Sequence, residues 1–86
     1  MANDFGWALN ELRAGMRACR AGWNGKGMWL VIVHPPQKYI QFAFGKTIEP
    51  GHELLPYVGM KTVDNKFVPW LCSQTDMLAE DWELAE

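Results

Sequence analysis

Ser73, His34 and His52 are the residue types from which a nucleophile and its base are built, and Asp76, Glu80 and Asp81 can share protons as paired carboxylates. Neither set has the pattern its chemistry requires. Both histidines sit beside proline or glycine in segments that read as loops, and no spacing aims either one at Ser73. Asp76 falls three residues after Ser73, where the plainer role is partner in a helix N-cap. The stretch "GWNGKG", Gly22 to Gly27, has the glycines and lysine of a phosphate loop but lacks the GxxxxGK[ST] spacing that wraps one. No catalytic constellation stands, and no enzyme activity is expected.

Binding chemistry is better served. Trp23 follows Gly22 and precedes Asn24-Gly25, so bare backbone leaves an indole face open to a flat ring. Stacking a base on such a face is worth about 1–3 kcal/mol. Lys26 adds a mobile cation, and the amides of residues 24–27 can converge on an anion. Trp70 follows Pro69 and stands just ahead of "LCSQTD", where a helix start presents free N–H groups. There Ser73 is the cap, Gln74 and Thr75 can donate to ligand oxygens, and Asp76 can accept from a hydroxyl or an exocyclic amine. Each aromatic also has a plainer use, which is filling a small core. Trp29 and Trp82 lie within apolar periodicity and read as core. Trp23 and Trp70 fall outside any regular apolar pattern, so for them both roles stand open; Trp7 is assigned to neither.

The elements that must position these residues can be read from periodicity. In "NDFGWALNELRAG", Phe5, Ala8, Leu9 and Leu12 make one helical stripe, with Asn3 or Asp4 to cap its start and Gly15 to end it. "MRACR" alternates as a short strand. "MWLVIV", Met28 to Val33, is apolar throughout and predicts a central strand covered on both faces, stopped by "HPP". "KYIQFAF" predicts a half-buried strand with Ile40, Phe42 and Phe44 on one side, and residues 45–56 a loop. "YVGMKTVDNKFVPW" predicts a hairpin with a two-residue turn at Asp64-Asn65. After Ser73 a short helix runs through Glu80, and "DWELAE" finishes as an edge strand with Trp82 and Leu84 inward. The sum is α+β: an N-terminal helix packed on a small, mainly antiparallel sheet, with a short C-terminal helix.

Composition limits the rest. The 86 residues make a single domain, 1–86. A chain of this size buries only about 60–65% of its unfolded surface, so self-association is the expected supplement to its core. Cys19 and Cys72 lack CxxC spacing and a nearby histidine pair, which argues against a disulfide scaffold or metal site and for a reducing cytoplasm. The run "MWLVIV" is far short of the roughly 20 residues that span a bilayer, and no secretory signal is expected. Residues 1–46 hold six Lys or Arg against Asp4 and Glu11, whereas the remainder holds Lys61 and Lys66 against eight acids. That division leaves no broad basic face for a DNA or RNA polymer. It suits a small basic pocket, or basic and acidic surfaces that meet in an oligomer.

Three segments, "FGWALNELRAGMRACRAGW", "GWNGKGMW" and "MKTVDNKFVPWLCSQTDMLAEDW", closely resemble the Thoeris anti-defence 2 family of small phage proteins. The likeness covers the N-terminal helix through Val33 and again Leu55 to Leu84; residues 34–54 carry none of the quoted motifs, and their contribution to specificity stays open. The resemblance implies a cofactor-free sponge. It would bind a cyclic nucleotide-derived immune signal and keep it from its effector in the cytoplasm of the infected bacterial host. For Thoeris that signal is glyco-cyclic ADP-ribose, and some relatives look able to take cyclic dinucleotides, the signals of CBASS. A homotetramer with pockets at subunit interfaces is implied as well. Carried over by position, Trp23 and Asn24 look like one pocket wall, and Trp70 with Ser73, Gln74, Thr75 and Asp76 like the other; Lys26 faces either pocket or solvent. The alternative from the residues themselves is a protein-interaction module that uses exposed tryptophans.

Overall fold

The computed structural model describes residues 3–23, 27–36 and 54–85. Helix α1 spans Phe5–Arg13. The Asp4 carboxylate accepts the Trp7 N–H at 2.8 Å, satisfying one of the donors that every helix start leaves free. The helix ends in a Schellman turn, with the Gly15 N–H on the Leu12 carbonyl and the Met16 N–H on the Glu11 carbonyl, each at 3.0 Å. Gly15 closes it at φ +86°, a conformation that favours glycine. The expected stripe turns inward: Ala8 and Leu12 are fully buried, and Phe5 and Leu9 pack against them.

Among the described residues the strands are β1 (Ala18–Arg20), β2 (Trp29–Val33), β3 (Tyr57–Lys61), β4 (Phe67–Pro69) and β5 (Trp82–Leu84). They form one sheet in the order β4-β3-β2-β1-β5, with every pairing antiparallel. β2 is central, as its apolar run predicts, but its faces are not covered alike. Leu30 and Ile32 pack into the core with their register partners Met60 and Val58, and Leu30 is completely buried. Trp29, Val31 and Val33 alternate onto the other face and are half-buried. There the Arg17 guanidinium lies 4.3 Å over the Trp29 ring, and Phe67 packs 6.3 Å from it. Trp29 is thus not the core residue its periodicity predicts, because α1 packs on one face only.

β3 and β4 form the expected hairpin around a different turn. The Asn65 N–H donates to the Thr62 carbonyl at 3.0 Å and the Thr62 N–H to the Lys66 carbonyl at 2.7 Å. Among described non-glycine residues only Asn65 has positive φ, at 65°. These bonds make a type I turn through Val63-Asp64 followed by one left-handed residue, not a two-residue turn at Asp64-Asn65. Thr62 settles the choice, since its Oγ1 accepts the Lys66 N–H at 2.9 Å and closes the loop.

The C-terminal segment departs further from expectation. Helix α2 is a single turn, Gln74–Met77, and stops short of Glu80. In a longer helix the Asp76 carbonyl would accept the Glu80 N–H; here it accepts the Ala79 N–H at 3.3 Å and the Trp82 indole N–H at 3.1 Å. β5 then forms the edge beyond β1, with Arg20 opposite Trp82 and Ala18 opposite Leu84. Trp82 is 1% exposed, but Leu84, expected inward, remains 41% exposed because an edge strand is flanked on one side alone. The N-terminus completes the join: the Trp82 N–H donates to the Asn3 carbonyl at 3.2 Å, and Asn3 Nδ2 to the Trp82 carbonyl at 3.1 Å. The predicted strand "KYIQFAF" and loop residues 45–53 lie outside the described residues. Among those described, no helix is long and apolar enough to cross a membrane.

Two substitutions test this account in urea denaturation. Leu12→Ala should cost about 2–5 kcal/mol, a large part of the about 4–13 kcal/mol that an 86-residue chain commands. Asn65→Val should destabilise by about 1–2 kcal/mol through its left-handed backbone, whereas Asn65→Gly should be neutral or stabilising. Equal effects of the two Asn65 variants would contradict the turn assignment.

Candidate functional site

Three rings close around Trp82, the largest fully buried side chain. Phe5 lies at 5.5 Å between centroids and Trp23 at 5.5 Å with planes 77° apart. Trp70 lies at 6.2 Å with planes 86° apart, and Phe5 and Trp70 touch at 6.0 Å. The near-perpendicular contacts set positive ring edges against negative faces, the arrangement indoles favour. Trp23 ends a 3-10 turn, Ala21–Trp23, that follows β1, while Trp70 follows β4 and extends its ladder through an N–H bond to the Val58 carbonyl at 2.9 Å. Both are half-buried. The two tryptophans, far apart in sequence, therefore meet the same third one, each packing on it while part of its own surface stays outside. Asn24 and Lys26, the other expected residues of the Gly-rich turn, lie outside the described residues.

The second expected wall is short and internally bonded. Ser73 caps α2: its Oγ accepts the Asp76 N–H at 3.1 Å and donates to Asp76 Oδ2 at 3.0 Å. Asp76 Oδ1 accepts from Arg20 Nη1 at 2.7 Å, so both carboxylate oxygens are engaged. Gln74 and Thr75 stand exposed beside them. A helix of one turn aligns few peptide dipoles, so its start attracts an anion far less than a long helix would.

Arg20, which no sequence motif marks as part of the site, ties these parts together through Asp81, one of the carboxylates noted above, and Gly22. Arg20 reaches Asp76, and its Nε also donates to Asp81 Oδ1 at 2.7 Å with Nη2 at 3.4 Å from Oδ2. Asp81 Oδ2 accepts the Gly22 N–H at 2.7 Å. A Cβ on Gly22 would come within 2.9 Å of that oxygen and 3.2 Å of Arg20 Nη2, so any larger residue would push the carboxylate or the guanidinium out of place. The signal was present: alternation puts Arg20 on the same side as buried Ala18, and an inward arginine needs an acid to meet it.

Charge and burial set the protonation of the site. The hydrogen bond from Arg20, supported by that from Gly22, holds the Asp81 carboxyl below its ordinary value. Burial, with Glu83 nearby, pushes the Cys19 thiol up, and burial with Asp76 does the same for Cys72. His34 is exposed beyond β2, and Asp76 and Asp81 meet on Arg20 as an ion-pair network. His52 lies outside the described residues, among which no group of His, Cys, Asp and Glu side chains gathers to hold a metal.

Because the folded Asp81 carboxyl is depressed, its stabilisation is complete above the unfolded value of about 3.9 and is lost as pH falls through the folded one. The stability gap between wild type and Asp81→Asn should therefore be full near neutrality and close below about pH 4. Urea midpoints taken across that range check this, and a gap independent of pH would contradict it.

Residues 3–85 match the family described as Tad2-like, the Thoeris anti-defense 2-like domain. A curated protein named Thoeris anti-defense 2, from Bacillus phage SP01, is 42% identical over 84 residues, covering 94% of this chain and 92% of its own length. The matched span takes in almost the whole chain, the two tryptophan-bearing segments and the Ser73–Asp76 segment among it, and on it the chain belongs to the Thoeris anti-defence 2-like family.

Proposed function

We propose that this protein carries out the anti-defence role of its family by sequestration. It binds a cyclic nucleotide-derived immune signal, glyco-cyclic ADP-ribose or a cyclic dinucleotide, and withholds it uncleaved from the effector in the cytoplasm of the infected host. The observation that carries this reading is the meeting of Trp23 and Trp70 on Trp82 with part of each indole left at the surface. A flat base stacks on such a ring for about 1–3 kcal/mol. Nanomolar capture needs about −12 kcal/mol, and charge-assisted hydrogen bonds at about 1.5–3 kcal/mol each supply the rest against the cost of lost freedom. Exposed Gln74 and Thr75, together with Asn24 and Lys26, are the polar groups assigned to it.

Release without chemistry is the natural outcome of this arrangement. The thiols are held toward their protonated form, and Ser73 is hydrogen-bonded to the carboxylate of its own helix turn rather than to a histidine. Leu71 at 91% exposure and Leu78 at 76% flank α2, and a chain this small gains by covering such surface. A homotetramer with pockets between subunits would do so.

The test is calorimetry with glyco-cyclic ADP-ribose and a panel of cyclic dinucleotides, followed by heat denaturation and recovery of the ligand. Intact ligand supports sequestration, and a cleaved product overturns it. Trp23→Ala and Trp70→Ala should each weaken binding by about 5- to 150-fold, the equivalent of one lost stack, with the sheet signal in circular dichroism retained. Absence of nucleotide binding, with capture of a partner protein that Trp23→Ala abolishes, would favour the interaction-module reading. Sedimentation velocity checks the tetramer, and a monomer at every concentration would refute it.

A further inference from the structure

We infer that Arg20 is a positioning residue for the proposed ligand site: by gripping Asp76 and Asp81 together, its guanidinium holds the Trp23 turn and the Ser73–Asp76 segment in one relative placement. The inference rests on the sequestration reading above, because it names what keeps those two walls in register.

The geometry supports a latch of this kind. Nη1 is 2.7 Å from Asp76 and Nε 2.7 Å from Asp81, with the Arg20 and Asp76 side chains only 17% and 16% exposed. From Asp81 the connection continues to the turn that carries Trp23, through the Gly22 N–H at 2.7 Å and the Ala21 N–H on the Asp81 carbonyl at 2.9 Å. From Asp76 it continues to Ser73 through the capping bonds and to Trp82 through the indole N–H. Neither segment is stable by itself, since one is a 3-10 turn of three residues and the other a single helical turn. Only a planar fork reaches two carboxylates along fixed directions; an ammonium is a point charge. Arg20 thus acts on the ligand through the placement of other side chains.

Amide hydrogen exchange and calorimetry on the full chain test this with Arg20→Lys, which keeps the charge but loses the fork. At a temperature where the variant is fully folded, the amides of Ala21, Gly22, Asp76, Met77 and Leu78 should exchange at least tenfold faster than in wild type. Those of α1, β2 and β3 should be unchanged, and affinity for glyco-cyclic ADP-ribose should fall at least tenfold. Unchanged exchange in the two segments overturns the inference, as does a uniform increase that includes α1 and β2, which would mark an ordinary stability effect. Faster exchange with unaltered affinity also overturns the positioning role. Should Arg20→Lys fail to fold, Gly22→Ala replaces it, because the added Cβ crowds Asp81 Oδ2 without deleting either charge. Failure of the wild type to bind any nucleotide would refute the sequestration reading instead, and the exchange data would still decide whether Arg20 links the two segments.

Discussion

Burying Trp82 takes the largest apolar side chain available to this core out of water, and does so from a three-residue strand at the edge of a sheet. An aromatic of that class removes about 150–250 Å² from solvent, but its indole N–H must then find an acceptor. The Asp76 carbonyl, in the single turn of α2, provides it. The same burial draws Phe5 from α1, Trp23 from the turn after β1 and Trp70 from the end of the hairpin onto one ring. Segments from the N-terminal helix, the turn after β1 and the hairpin are thereby brought onto a single side chain.

Around that apolar centre the polar groups obey the same economy. The first half of the chain is basic and the second acidic, a division that suggests contact between surfaces. Part of the contact is internal, for Arg20 from the basic half meets Asp76 and Asp81 from the acidic half in a partly desolvated place. An arginine there would be costly alone, and so would either carboxylate. Each is satisfied by the others and by backbone, including the Gly22 N–H, where a Cβ would crowd the Asp81 carboxylate.

A sponge needs affinity and shape, not a reactive group, and such a requirement suits a small domain. Residues that close the core can also face the ligand, because an indole has two uses: one edge packs inward while the rest stays accessible. On the proposed function, ligand binding and stability share side chains in this protein. Exposed Leu71 and Leu78 beside the same segment are the apolar surface that the proposed assembly would cover.

Local pattern alone determined much of the architecture. Helix α1 with its Asp4 cap and Gly15 stop, the central place of β2, the β3–β4 hairpin and the Ser73–Asp76 cap all follow from spacing and residue type, since each depends on neighbours a few positions away. The turn at Thr62–Lys66 was misread because a threonine hydroxyl, not the Asp64-Asn65 pair, closes it. Trp29 was misread because periodicity reports that a side chain is apolar, not which face of the sheet has a helix on it. The candidate site was legible only as parts: Trp23, Trp70 and the Ser73–Asp76 segment. Their relation was not. That Trp23 meets the Trp82 on which Trp70 also packs, and that Asp76 answers Arg20, depend on contacts between distant parts of the chain. Only the tertiary structure could decide them, because they arise from the burial of groups that have no local partner.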